Sequence, residues 1–215
     1  MRRPCYIFDV DGTLVDSNQM HVDTWKATAN RYQLPCPHPE YIGKCGMKTV
    51  AVIQELLKWP VGAQEAERMG QEKEALYRQW IRDGGIRPIP GVLDFLHKAH
   101  TAGIRCAIGS SAPMENINAC LDALHLRPFF DVVTSAEDVQ RSKPAPDIYL
   151  KTAESLQAPP GDCLVFEDSP AGIQAARAAS MRVIALLTSH SRQEVQQADR
   201  IVQDFTELDA AQPWG

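Results

Sequence analysis

From about residue 90 to residue 202 the chain alternates short apolar runs with amphipathic stretches, and this rhythm limits the fold more than any other feature. The runs predict buried strands at 105–108, 131–134, 163–166, 183–186 and 200–202. Between them the spacing predicts helices near 91–103, 114–125, 146–157 and 170–179, with Pro90-Gly91 and Ser169-Pro170 marking two helix starts. Strands joined through helices pair in parallel, because each crossover brings the chain back to the same end of the sheet. A further buried strand is predicted at 4–8. Residues 17 to about 84 break the rhythm with successive helices, a long polar-rich one around 63–82 among them, and no convincing strand. Gly84-Gly85 and the prolines at 88 and 90 then read as a hinge back to the sheet. The expected fold is therefore α/β, a Rossmann-like parallel sheet core formed by 1–16 and 87–215 with an inserted helical cap at 17–86.

Bulk properties narrow the function. With 22 basic and 27 acidic residues the net charge is −5, which argues against sequence-independent nucleic-acid binding, since that role needs a basic face. No stretch is apolar enough to span a bilayer, and the apolar run behind Arg2 and Arg3 is cut short by two acids, so no secretory signal is expected. Six cysteines show no Cys-x-x-Cys pair. Cys5, Cys106 and Cys163 fall inside apolar runs and read as small buried hydrophobes in a reducing cytoplasm. A monomer is the default expectation.

The chemistry is concentrated where apolar runs end. In Ile7-Phe8-Asp9-Val10-Asp11-Gly12-Thr13 two carboxylates sit one residue apart at a strand end, and Gly12 lets the backbone turn there. Like charges held that close are tolerable when a cation lies between them or one is protonated. An oxygen-seeking divalent ion such as Mg²⁺ meets the first condition. Turn formation by Asp-Gly is the plainer explanation, but a second apolar run also ends in adjacent acids, Glu167-Asp168. Two such strand ends suggest one shared ion site.

Two further run ends suit a phosphate. Gly109-Ser110-Ser111 offers hydroxyls just before a helix whose first-turn amides can also bind an anion, although either serine could be a mere helix cap. Lys143, beside Pro144 and Pro146, offers a fixed positive charge, although a lone lysine is usually a solvated one. Ligands of open parallel sheets lie beyond the carboxyl ends of strands. Together the four segments would supply a nucleophile, a proton shuttle, a cation site and a fixed positive charge, as phosphoryl transfer requires.

In all four segments, in order and across essentially the whole chain, the sequence resembles the haloacid-dehalogenase-like phosphohydrolases. The resemblance implies that Asp9 is the nucleophile that becomes an aspartyl-phosphate and that Asp11 is the general acid and then the base. It implies that Ser110, with Ser111 beside it, and Lys143 hold the phosphoryl group. Mg²⁺ would be gathered by Asp9, Asp11 through the Val10–Asp11 backbone, Glu167 and Asp168. A finer resemblance, in His21-x-x-x-Trp25-Lys26 and Lys143-Pro144-Ala145-Pro146-Asp147, is to the β-phosphoglucomutase-like subfamily. Two stretches depart from the mutase itself: Ser111-Ala112-Pro113-Met114 after the serine, and residues 42–49 of the cap. Without a second phosphate grip, water is the simpler acceptor, which implies a phosphatase for a sugar phosphate or similar small metabolite, with a phosphosugar mutase as the alternative. His21 is expected either to pack near Trp25 or to act near Asp11. Trp25 and Met47 could wall the substrate site or pack in a core, and Lys44 and Lys48 could meet the leaving group or remain surface charges.

Overall fold

The computed structural model describes residues 4–36, 38–42 and 49–213. Six parallel strands form one sheet: β1 (Cys5–Phe8), β4 (Arg105–Gly109), β5 (Val132–Thr134), β6 (Cys163–Glu167), β7 (Arg182–Leu186) and β8 (Arg200–Val202), in the order β5-β4-β1-β6-β7-β8. The predicted strands are present to within a residue at each end. After β1 the chain builds β4 and β5 outward on one side, then crosses to β6, β7 and β8 on the other. The sheet reverses its winding at β1, and the crevice beyond the carboxyl end of such a strand is where open α/β sheets bind ligands.

Alternation along β1 explains its two coats. Tyr6 and Phe8 enter one apolar layer, Cys5 and Ile7 the other, and all four are at most 2% exposed. On the first face Phe8 stacks on Phe166 with centroids 4.6 Å apart, with Phe95 and Phe205 packed around the pair. That aromatic cluster favours a single register, Phe8 opposite Ile108 of β4 and opposite Phe166 of β6. Asp9, Gly109-Ser110 and Glu167-Asp168 consequently leave the sheet at the same level. Cys5, Cys106 and Cys163 are buried and unbridged. Burial lifts the Cys106 and Cys163 thiols to about 12, so both behave as the apolar fillers their positions suggest.

The sheet is flanked by α5 (Val92–Thr101), α6 (Met114–Ala123), α7 (Asp147–Ser155) and α8 (Pro170–Ala178). Between β1 and β4 the chain runs through β2 (Val15–Asp16), α1 (Asn18–Arg31), α2 (Pro39–Ile42), α3 (Thr49–Ala51), α4 (Ala63–Trp80) and β3 (Arg87–Pro88). These helices enclose an apolar cluster of their own, which includes Val22, Trp25, Trp59 and Met69. The strands β2 and β3, which the sequence pattern did not reveal, pair antiparallel with Val15 opposite Pro88. The two connections in and out of the helical segment are thus tied into one ribbon. The long helix continues past Trp80 as a π-helical turn at Ile81–Gly85, in which Gly84 has φ of 85°. The expected hinge glycines therefore end this helix rather than form a free linker. No described helix is long and apolar enough to cross a membrane.

Candidate active site

At the carboxyl end of β1 the backbone turns through Gly12, whose φ is +73°. A Cβ there would fall 2.1 Å from Asp168 Oδ2, so glycine supplies both the left-handed turn and the room for that carboxylate. Asp9 is 8% exposed, and its Oδ1 accepts from Lys143 Nζ at 2.9 Å. Lys143 also donates to Glu167 Oε1 at 2.7 Å and lies 4.9 Å from the centroid of the Tyr149 ring. Its loop is clamped by a two-point contact of Arg141 with Asp147, at 3.1 and 2.7 Å. Burial opposes the Lys143 charge, but Asp9 and Glu167 outweigh it and hold the ammonium well above the ordinary lysine range.

Glu167 is fully buried and met by five donors. Its Oε1 accepts from Lys143 and from Tyr149 Oη at 2.8 Å, while Oε2 accepts from Asp168 N, Ser169 N and Ser169 Oγ at 2.8 to 3.0 Å. Burial would raise its pKa, yet Lys143 and these donors hold it below the usual carboxylate range. Ser169 Oγ in turn accepts from Gly172 N and caps α8.

Asp11 is held differently. Its Oδ1 accepts from Ser17 Oγ at 2.6 Å, Tyr77 Oη at 3.0 Å and His21 Nε2 at 3.1 Å. Lys73 Nζ, 2% exposed, donates to His21 Nδ1 at 3.0 Å and to Glu74 Oε1 at 3.1 Å. An ammonium can only donate, so Nδ1 is the acceptor and Nε2 carries the proton given to Asp11. Against burial, which favours the neutral acid, His21, Ser17 and Tyr77 keep Asp11 well below the ordinary range and therefore ionised.

Asp9, Asp11, Ser110, Ser111, Lys143 and Asp168 share one cleft of about 630 Å³ beneath the helical segment. Ser110 is 2% exposed; its Oγ accepts from Ala112 N at 3.2 Å, which leaves the hydroxyl proton available to a ligand. Neither serine caps α6, whose N-cap is Pro113. The expectation that α6 offers free amides needs correction, because the Glu137 carboxylate accepts from Met114 N at 3.1 and 3.4 Å and takes the place of an outside anion. His21 meets Asp11, and Trp25 does two things, packing edge-on against Trp59 and lining the cleft. Lys44, Met47 and Lys48 lie outside the described residues. Ser17, Lys73, Tyr77 and Tyr149 were not anticipated; of these only the four-residue spacing of Lys73 and Tyr77, which puts them on one helix face, could have hinted at a shared target.

Residues 6–186 match the family model of the haloacid dehalogenase-like hydrolases. The chain belongs to that family. As a haloacid dehalogenase-like hydrolase it is 33% identical over 179 residues to the fructose-1-phosphate phosphatase YqaB of Escherichia coli (strain K12), covering 83% of this chain and 93% of that one. It is 30% identical over 208 residues to hexitol phosphatase A of the same organism, covering 97% and 94%. A solved β-phosphoglucomutase from Clostridium difficile shares the fold, with a TM-score of 0.85, 23% identity and coverage of 97% and 94%. Within the family the chain is an enzyme of the phosphoric monoester hydrolase class.

The residues present suit the divalent ion that this family implies. Oxygens of Asp9, Glu167 and Asp168, all buried, lie within 4.8 Å of one another. Burial and the neighbouring Glu167 push Asp9 up to about 6 despite Lys143, and burial with the charges of Glu167 and Asp9 pushes Asp168 well above its ordinary value. Hard oxygen ligands whose mutual repulsion a cation would relieve are what Mg²⁺ takes. The Asp11 side chain is not among these converging oxygens. Because Asp9 and Asp168 hold protons more tightly than free carboxylates, Mg²⁺ must displace protons to bind. Calorimetric titration at pH 6 in buffers of different ionisation heat should show release of roughly one proton per ion; a buffer-independent heat would contradict the raised values.

Proposed function

We propose that this chain is a Mg²⁺-dependent phosphatase that hydrolyses a small sugar phosphate or similar phosphorylated metabolite through an aspartyl-phosphate at Asp9. The observation that carries this reading is the pair of differently held aspartates in one cleft. Asp9 is bound by one cation on a single oxygen; Asp11 has three donors on Oδ1 and is kept as an anion.

Asp9 attacks phosphorus in this reading, with Lys143 neutralising charge on the transferring group and Ser110 Oγ donating to one of its oxygens. When bound, Mg²⁺ would be held by Asp9, Glu167 and Asp168 and would supply charge neutralisation on the phosphoryl oxygens. Asp11, ionised in this arrangement, is suited to take a proton from the water that hydrolyses the acyl-phosphate. In the first half-reaction the leaving oxygen needs a proton, and Asp11 relays it: the oxygen opposite the three donors takes the proton up from the monoanionic phosphate ester or from solvent and passes it on. His21 and Lys73 fix the carboxylate in place between the two half-reactions. Residues 17–86 act as a cap that shields the acyl-phosphate from bulk water.

A sugar-like leaving group fits the remaining lining. Asn18 and Gln71 present amides and Glu67 a carboxylate suited to hydroxyls, alongside the Trp25 ring, while the buried Asn116 and Glu74 behind them are paired with each other. The names of the two Escherichia coli relatives, a sugar phosphate phosphatase and a hexitol phosphatase, support the same class. The test is a phosphate-release screen over sugar phosphates, hexitol phosphates, nucleotides and phosphoglycolate, with Mg²⁺ or with chelator. Metal-dependent release concentrated on sugar or polyol monophosphates is expected. Conversion of β-glucose 1-phosphate to glucose 6-phosphate in the presence of a bisphosphate activator, with little free phosphate, would establish the mutase instead.

A further inference from the structure

The loop leaving β7 reaches the site from a third side, through residues that play no part in the chemistry above. Thr188 Oγ1 donates to the carbonyl of Gly12, in the turn that carries Asp9 and Asp11. Ser189 Oγ contacts Asp168 Oδ2 and lies 3.3 Å from the Asp168 carbonyl oxygen. His190 Nδ1 is 2.7 Å from Ser189 Oγ and 3.1 Å from that same carbonyl oxygen. A hydroxyl has one proton to give, and the carboxylate is the stronger acceptor. Ser189 therefore donates to Asp168 Oδ2, and His190 Nδ1 must be the protonated nitrogen, donating to Ser189 Oγ and to the carbonyl.

Asp168 depends on this chain in a way its neighbours do not. Glu167 is fixed by five donors and Asp9 by Lys143, whereas among the described residues Ser189 is the one side chain recorded donating to the Asp168 carboxylate. Asp168 is 5% exposed, so little water is on hand to replace a lost donor. On its other side stands Gly12, whose backbone Thr188 holds. The one loop thus fixes both the wall beside Asp168 and the rotamer of its carboxylate.

We propose that Ser189, oriented by His190, is a positioning residue that holds Asp168 ready for the divalent cation and sets the affinity of the site. This rests on reading Asp9, Glu167 and Asp168 as the cation site. Partners that orient a ligand from behind are worth roughly 10–100-fold in metal affinity.

The test follows free Mn²⁺, a paramagnetic stand-in for Mg²⁺, by electron paramagnetic resonance while it is titrated into the full chain, so no turnover is needed. Ser189→Ala is expected to raise the Mn²⁺ dissociation constant by about tenfold or more, with the fold retained in chelator and its melting temperature lowered by at most about a few degrees. Ser189→Thr, which keeps the hydroxyl, should restore most of the affinity. Wild-type affinity in Ser189→Ala, equal weakening in both variants, or a wild-type chain that binds no Mn²⁺ would each overturn the proposal. If Ser189→Ala loosens Mn²⁺ but the wild type cleaves no phosphoester, the positioning role stands and the phosphatase reading falls. An active phosphatase whose Mn²⁺ affinity ignores Ser189 fails in the opposite way.

Discussion

Asp9→Asn should lower turnover of any phosphoester substrate by at least about 10⁴-fold, because an amide cannot act as the attacking nucleophile. The fold should survive, and metal-free the variant should melt higher than the wild type above pH 6. In the folded chain Asp9 holds its proton up to about 6, whereas an unfolded aspartate releases it near 3.9. Between those values the folded state binds more protons than the unfolded one, so wild-type stability falls as pH rises through the window. Asparagine has no such proton to lose. Its advantage is therefore full above about pH 6 and disappears as pH falls towards 4. Thermal melts in chelator at pH 4, 5, 6, 7 and 8 check this, and a variant less stable than wild type throughout would show that the Lys143–Asp9 pair outweighs burial.

The second large effect belongs to Lys143→Met, which removes the only cation recorded in contact with Asp9 and Glu167 among the described residues. With both carboxylates buried, losing their shared partner should cost about 3–5 kcal/mol at pH 8. The deficit should shrink at pH 5, where the unpaired acids can take up protons instead of remaining as bare charges. Turnover should fall on the order of 10²–10³-fold, the usual loss when one fixed donor to a developing charge is deleted. Urea unfolding at the two pH values separates the effects. A loss below about 1 kcal/mol at pH 8 would mean that the pair behaves like a surface ion pair, at odds with a side chain only 5% exposed.

How much of this was legible in sequence depended on how far apart the cooperating residues lie. The sheet could be read because each strand is a local apolar run, and β1 shows why: four residues, two faces, both buried. Asp9 with Asp11 and Glu167 with Asp168 were legible as neighbours in the chain. What could not be read is the packing between segments. Tyr77 reaches Asp11 across 66 residues, from an 18-residue helix whose many charged residues give no local sign that Lys73 and Tyr77 face the site. Tyr149, a donor to Glu167, carries no local mark of that role in its helix. The ribbon of β2 and β3 escaped notice because two residues are too few to show a period. Glu137 shows the reverse case, since the α6 amides seemed open to an anion and a carboxylate from a later turn already takes one of them.

Covalent capture of phosphorus by Asp9 is the central claim, and its direct test is trapping. The Asp11→Asn variant, which can neither protonate a leaving oxygen nor deprotonate water, is mixed with Mg²⁺ and an activated aryl phosphate, whose phenolate leaves without a proton, quenched in acid within the first turnover, and digested for mass spectrometry. The account predicts one added phosphoryl group on the peptide containing residue 9, absent when Asp9 is also replaced by Asn. Substrate consumed and phosphate released with no label ever appearing on that peptide would contradict it.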